Sequence, residues 1–111
     1  MLIKPNRAIL QCAIEFYGKP NQIIKANEEM AELTKELCKA ISYEAYHLEL
    51  NKKPIAEELA DVLIMAEQIA IMFDIDKETN QFIEYKQSRL LSRVADEKRK
   101  LNTLDAWEEN L

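Results

Sequence analysis

Apolar residues recur at helical spacing along most of the chain, and a few breakers divide it into four segments. The first, over about 5–17, opens at Pro5 and Asn6 and sets Ala8, Ile9, Cys12, Ala13 and Phe16 at helical spacing. Gly18 suits the left-handed position after a helix end, because a residue without a Cβ enters positive φ without steric cost. Lys19, Pro20 and Asn21 read as a short turn. Asn21 is then the N-cap of a second helix over about 21–46, whose apolar side is Ile23, Ala26, Met30, Leu33, Leu37 and Ile41.

The polar stretch from His47 to Lys53 reads as a crossing loop, and Pro54 fits the first turn of a third helix over 54–73, where a missing N–H is harmless. That segment, IAEELADVLIMAEQIAIMF, is apolar round most of its circumference, as expected at the centre of a bundle or at a subunit interface. Asp74 to Asp76 make a turn, and Asp76 can cap a fourth helix over 76–98 with Phe82, Ile83, Leu90 and Val94 on one side. The charged tail over 99–111 holds Leu101, Leu104 and Trp107 at spacings that suit a short docking helix. The predicted fold is all-α, a four-helix, bundle-like single domain over 1–111. So short a chain buries a limited share of its apolar surface, so a homodimer or homotetramer is expected to complete it.

Composition agrees with long helices: 111 residues contain one Gly and three Pro, and 48% are hydrophobic, too many for a disordered chain. Fifteen basic against twenty acidic side chains give a net charge of -5, without the basic field that nucleic-acid binding requires. Cys12 and Cys38 lie among apolar neighbours and are expected to be reduced core thiols of a cytoplasmic protein. MLIKPNRAIL lacks the apolar core of a secretory signal, and no uncharged apolar run nears the ~20 residues of a membrane span, so no membrane partner is expected.

The chemistry is concentrated in acids beside the apolar stripes. In EEMAELTKEL, at positions 28–37, Glu29 and Glu32 share a strip flanking Met30, Leu33 and Leu37, and Glu28 points further outward. Alone, this stretch is equally a solvated helix face, with Lys35 and Lys39 as helical partners of its acids. The third helix repeats the construction: Glu58 and Asp61 are three apart, and their strip continues to Met65 and Met72. Asp61 lies inside LADVLIM, where burying an unpaired carboxylate costs several kcal/mol. Two such pairs on neighbouring helices bring four acids together, and hard divalent cations are what oxygen clusters hold. Mg2+ is the natural ion, with Mn2+ as an alternative.

Taken together, EExxE at Glu28, Glu29 and Glu32 and ExxD at Glu58 and Asp61 resemble the MazG-like nucleoside triphosphate pyrophosphohydrolases of the all-α NTP pyrophosphatase superfamily. The resemblance spans about 8–94, through AIEFYGKPNQIIKANEEMAELTKELCK, EELADVLIMAEQIAIMF and FIEYKQSRLLSRV, which look like the small stand-alone members found in Firmicutes and their phages. Many members have Gly where Ala31 stands, a change a helix tolerates. The resemblance implies Mg2+-dependent cleavage of a (d)NTP between the α and β phosphates. It also implies that Glu29, Glu32, Glu58 and Asp61 hold the ion, with Glu28 beside them as a fifth catalytic acid. Family members use basic residues after the ExxD helix for the phosphates, which here are Lys86, Arg89 and Arg93 at i, i+3 and i+7.

Lys25 and Lys53 are further cations, Gln22 precedes the acidic motif, and Trp107 can stack on a base if the tail folds back. His47 is expected to be structural or exposed. A di-iron bundle with Glu-x-x-His motifs is excluded, since one histidine occurs and it does not follow these acids. A non-catalytic helical oligomer, its acids paired with Lys86, Arg89 and Arg93, remains open as the alternative. Nothing recognisable reads a base.

Overall fold

The computed structural model describes residues 1–42 and 48–109, with 48–51 as backbone alone. Its elements are four α-helices: α1 (Arg7–Tyr17), α2 (Lys19–Ser42), α3 (Leu48–Phe73) and α4 (Asp76–Glu109). Contacts divide the chain into two units, Met1–Asp74 and Ile75–Leu111. None of the described helices is long and apolar enough to cross a membrane.

Asn6 starts α1: it is extended, and its side-chain oxygen accepts from the N–H groups of Ala8 and Ile9 at 3.0 and 3.2 Å. Such a cap contributes about 1 kcal/mol. Gly18 ends the helix with φ 85°, donating its N–H to the Ile14 carbonyl at 2.9 Å. The Gly18 carbonyl also accepts from the Gln22 N–H at 3.1 Å, so one residue closes α1 and opens α2. The expected turn at Lys19, Pro20 and Asn21 is therefore helical, and Pro20 occupies a first-turn position whose missing N–H costs nothing. Asn21 is not the cap; its side-chain amide donates to the Tyr17 carbonyl at 2.8 Å and ties the two helices at their junction.

The end of α2 expected at 43–46, and His47, lie outside the described residues. Leu48–Lys53, expected as loop, is the start of α3, and Pro54 sits inside that helix. Proline there denies the Leu50 carbonyl its helical donor, a local defect that the rest of α3 outweighs.

In the first unit α3 packs against both α1 and α2, as its wide apolar surface predicts. The core is Leu10 and Ile14 of α1, Ala26 and Ala40 of α2, and Met65 and Met72 of α3. Glu67 of α3 accepts through one oxygen from both Nε and Nη2 of Arg7, at 3.0 and 2.9 Å. Cys12 and Cys38 are exposed free thiols rather than core residues. Each lies two residues, about 200°, from buried neighbours on its own helix, namely Leu10 and Ile14 for Cys12 and Ala40 for Cys38.

The expected apolar stripe of α2 holds in part, with Ala26 buried and Leu33 half-buried, and is otherwise rotated. Its buried residues are Gln22, Ala26, Glu29 and Ala40, whereas Met30 and Leu37 are 44% and 45% exposed and Ile41 is 83% exposed. The edge of α2 that carries acids and amides, not its most apolar edge, faces α3.

The second unit is α4 alone. Thr79 donates its N–H to the Ile75 carbonyl at 2.9 Å, which places Ile75 rather than Asp76 at the cap position, after Asp74 has taken φ 51°. The helix continues to Glu109, so 99–109 extends α4 and is not a separate docking helix. Arg99 pairs with Asp96, and Lys100 with Glu97, each three residues apart across the predicted end.

Candidate metal centre

The polar edge of α2 meets α3 in an antiparallel register that the sequence repeats in mirror image. Gln22 donates from Nε2 to Oε1 of Gln68 at 2.7 Å, and both side chains are buried. Seven residues on from Gln22 is Glu29, and seven back from Gln68 is Asp61; three further in each direction are Glu32 and Glu58. The amide pair therefore stands two turns from the acids, in line with them.

Carboxylate oxygens of Glu29, Glu32 and Glu58 lie within 4.8 Å of one another. Glu29 is 6% exposed; its Oε1 accepts from Lys25 Nζ at 2.9 Å, while its Oε2 is buried with no hydrogen-bond donor. Oε2 of Glu58 is likewise buried with no donor. An unsatisfied buried acceptor costs about 1–3 kcal/mol, and more when charged. Glu32 is exposed at the mouth of the group.

Burial and neighbouring charge raise the proton affinity of Glu58 and Asp61. Burial pushes the Glu58 carboxyl above its ordinary range, and the negative charge of Glu32 adds to it. Asp61 is raised by burial and then by the charge of Glu29. Asp61 thus stands beside Glu29 but outside the group of three whose oxygens converge.

Oxygen donors of this number and charge, two of them buried without a donor, suit a hard divalent cation rather than a soft one. Glu29, Glu32 and Glu58 fit the ion directly, and Asp61 adds negative charge next to Glu29. Glu28 is exposed, with its Oε2 3.9 Å from Lys25 Nζ. Glu36 is not in the group and accepts from Lys39 at 3.2 Å.

A cleft of about 580 Å3 opens alongside, lined by Glu28, Glu29 and Asp61 together with Tyr17, Gln22 and Ile64 among others. Lys25 lines it too. Lys86, Arg89 and Arg93 belong to α4, in the second unit, where the Arg89 guanidinium carbon lies 5.6 Å from the centre of the Tyr85 ring. Trp107 is also on α4, and Lys53 is exposed on α3.

Gln68 does not stand out in the sequence, because a lone glutamine in an apolar helix reads as a surface position. The signal was present: Q-x6-E-x-x-E in α2 is matched, reversed, by E-x-x-D-x6-Q in α3. No family model, no curated protein and no solved structure matches the chain.

Proposed function

We propose that the chain is a magnesium-dependent nucleoside triphosphate pyrophosphohydrolase of the MazG-like kind, converting a (d)NTP to the monophosphate and pyrophosphate. The observation that carries this is the convergence of Glu29, Glu32 and Glu58 from two facing helices, with Oε2 of Glu29 and of Glu58 buried and lacking donors. Mg2+ bound there supplies neutralisation of phosphate charge and acidification of a water molecule.

The residues themselves do the rest. Glu29, Glu32 and Glu58 fix the position of the cation, and Asp61 strengthens the local field. Glu28, at the cleft, faces substrate. The cleft supports a nucleotide because its lining combines acids and Lys25 with an aromatic ring, amides and aliphatic side chains. A ligand that is charged and also carries a flat, polar-edged ring matches that mixture. Lys86, Arg89 and Arg93 are assigned to the phosphates by family resemblance.

Ile23, Met30, Leu37 and Ile41 leave an apolar stripe exposed on α2, which supports self-association as a homodimer or homotetramer in the cytoplasm. The same stripe favours a second reading, a non-catalytic helical oligomer. Pyrophosphate release separates the two. Purified protein with Mg2+ is expected to release pyrophosphate from at least one of the common ribo- or deoxynucleoside triphosphates. Glu32→Gln and Asp61→Asn are expected to abolish release while keeping helical content. No release from any nucleotide with Mg2+ or Mn2+ would establish the non-catalytic reading instead.

A further inference from the structure

Lys25 stands one turn before Glu29 on α2, and its ammonium is already in contact with the candidate metal centre. Nζ donates to Glu29 Oε1 at 2.9 Å and lies 3.9 Å from Glu28 Oε2. The lysine side chain is 53% exposed and lines the cleft, whereas Glu29 is almost wholly covered. The pair is therefore asymmetric: the carboxylate is fixed by packing, and the half-exposed ammonium, at the end of a flexible stem, is held by Glu29 and more distantly by Glu28. Half-exposed ion pairs of this kind contribute little and open readily.

We propose that Lys25 is an exchangeable counter-cation. It holds Glu29 while the acid group is empty, and it transfers to the phosphate oxygens of the nucleotide when a divalent cation takes the group. The ion's place is on the donor-free Oε2 side of Glu29, with Glu32 and Glu58 also facing it, and its two charges repel an ammonium held across the same carboxylate on Oε1. The displaced ammonium remains in the cleft next to Glu28, carrying three donors and one positive charge. Polyphosphate oxygens brought by the substrate are the anions it then meets. Lys25 is thus a substrate-binding residue, and the inference rests on the nucleotide reading of the same cleft.

Lys25→Met keeps the stem and removes the charge. Two measurements test it, neither needing turnover: Mn2+ binding without nucleotide, followed by electron paramagnetic resonance, and Mg2+-dependent binding of an α,β-methylene nucleoside triphosphate, followed by calorimetry. The variant is expected to bind Mn2+ roughly fivefold more tightly and the analogue about tenfold more weakly, with Lys25→Arg restoring analogue binding to within about threefold. Unchanged or weaker Mn2+ binding overturns the proposal, as does tighter Mn2+ binding with unchanged analogue affinity. Wild-type protein that binds Mn2+ but no analogue sinks the nucleotide reading and the proposal with it. A wild type that binds both beside an unaltered Lys25→Met overturns the lysine assignment alone.

Discussion

Gln22 and Gln68 hold each other across α2 and α3 by a 2.7 Å hydrogen bond between buried carboxamides, in line with the facing acids. Polar pairs inside a helix interface cost desolvation, and they specify register because any other alignment leaves them unsatisfied. Here the register that satisfies the amides is also the one that sets Glu29 next to Asp61 and Glu32 next to Glu58.

Breaking that pair from one side leaves an amide buried alone. Gln68→Met or Gln22→Met is expected to lower stability by about 1–3 kcal/mol, whereas the double Met variant recovers much of the loss because neither polar group remains. Chemical denaturation of the four proteins gives the coupling directly. Neutral single variants would show that the bond contributes nothing to the packing of α2 on α3.

The raised carboxyls make the ion-free protein pH-sensitive. Below the ordinary carboxylate range, at about pH 3 and under, Glu58 and Asp61 are protonated in folded and unfolded chains alike and exert no penalty. As pH rises through their elevated folded-state values, the folded chain must hold charges that the unfolded chain accommodates in water, and stability falls. In chelator, Tm is expected to decline as pH rises from the ordinary carboxylate range toward neutrality, and Glu58→Gln to flatten the decline. Mg2+ should raise Tm more near neutral pH than at about pH 3, where Glu58 and Asp61 are protonated. A wild type and a Glu58→Gln variant with the same pH profile would contradict this.

Two glutamates of the same acidic stretch should behave oppositely. Glu29 has a buried oxygen in the cluster, and Glu36 accepts from Lys39 outside it. Glu29→Gln is expected to weaken Mn2+ binding at least about 100-fold, and Glu36→Gln to change it less than about twofold. Equal effects would mean that general negative charge, not the converging group, attracts the ion.

Helices, acids and the glycine junction were legible in the sequence for local reasons. Apolar spacing marks a helix wherever it occurs, and Gly18 is the residue that reaches φ 85° without strain. The direction in which α2 faces was legible only in part: Ala26 of the expected stripe is buried, but Ile23, Met30 and Leu37 are exposed while Gln22 and Glu29 are buried. Choosing between two edges of one helix depends on what the partner offers, and α3 offers Gln68, Asp61 and Glu58. Pro54 misled for a similar reason: proline is placed most comfortably in a first turn, but α3 begins before it, at Leu48. The tail misled because the charged run at 96–100 reads as a break, whereas its local helix pairs, Asp96 with Arg99 and Glu97 with Lys100, carry α4 through it.

The products formed from a nucleoside triphosphate in Mg2+ test the central claim most directly. Phosphorus resonance of the wild-type reaction should show a nucleoside monophosphate and pyrophosphate in equal amounts, with neither formed in chelator or by Glu32→Gln. A diphosphate with orthophosphate, turnover indifferent to Glu32→Gln, or no turnover across the nucleotide panel would contradict it.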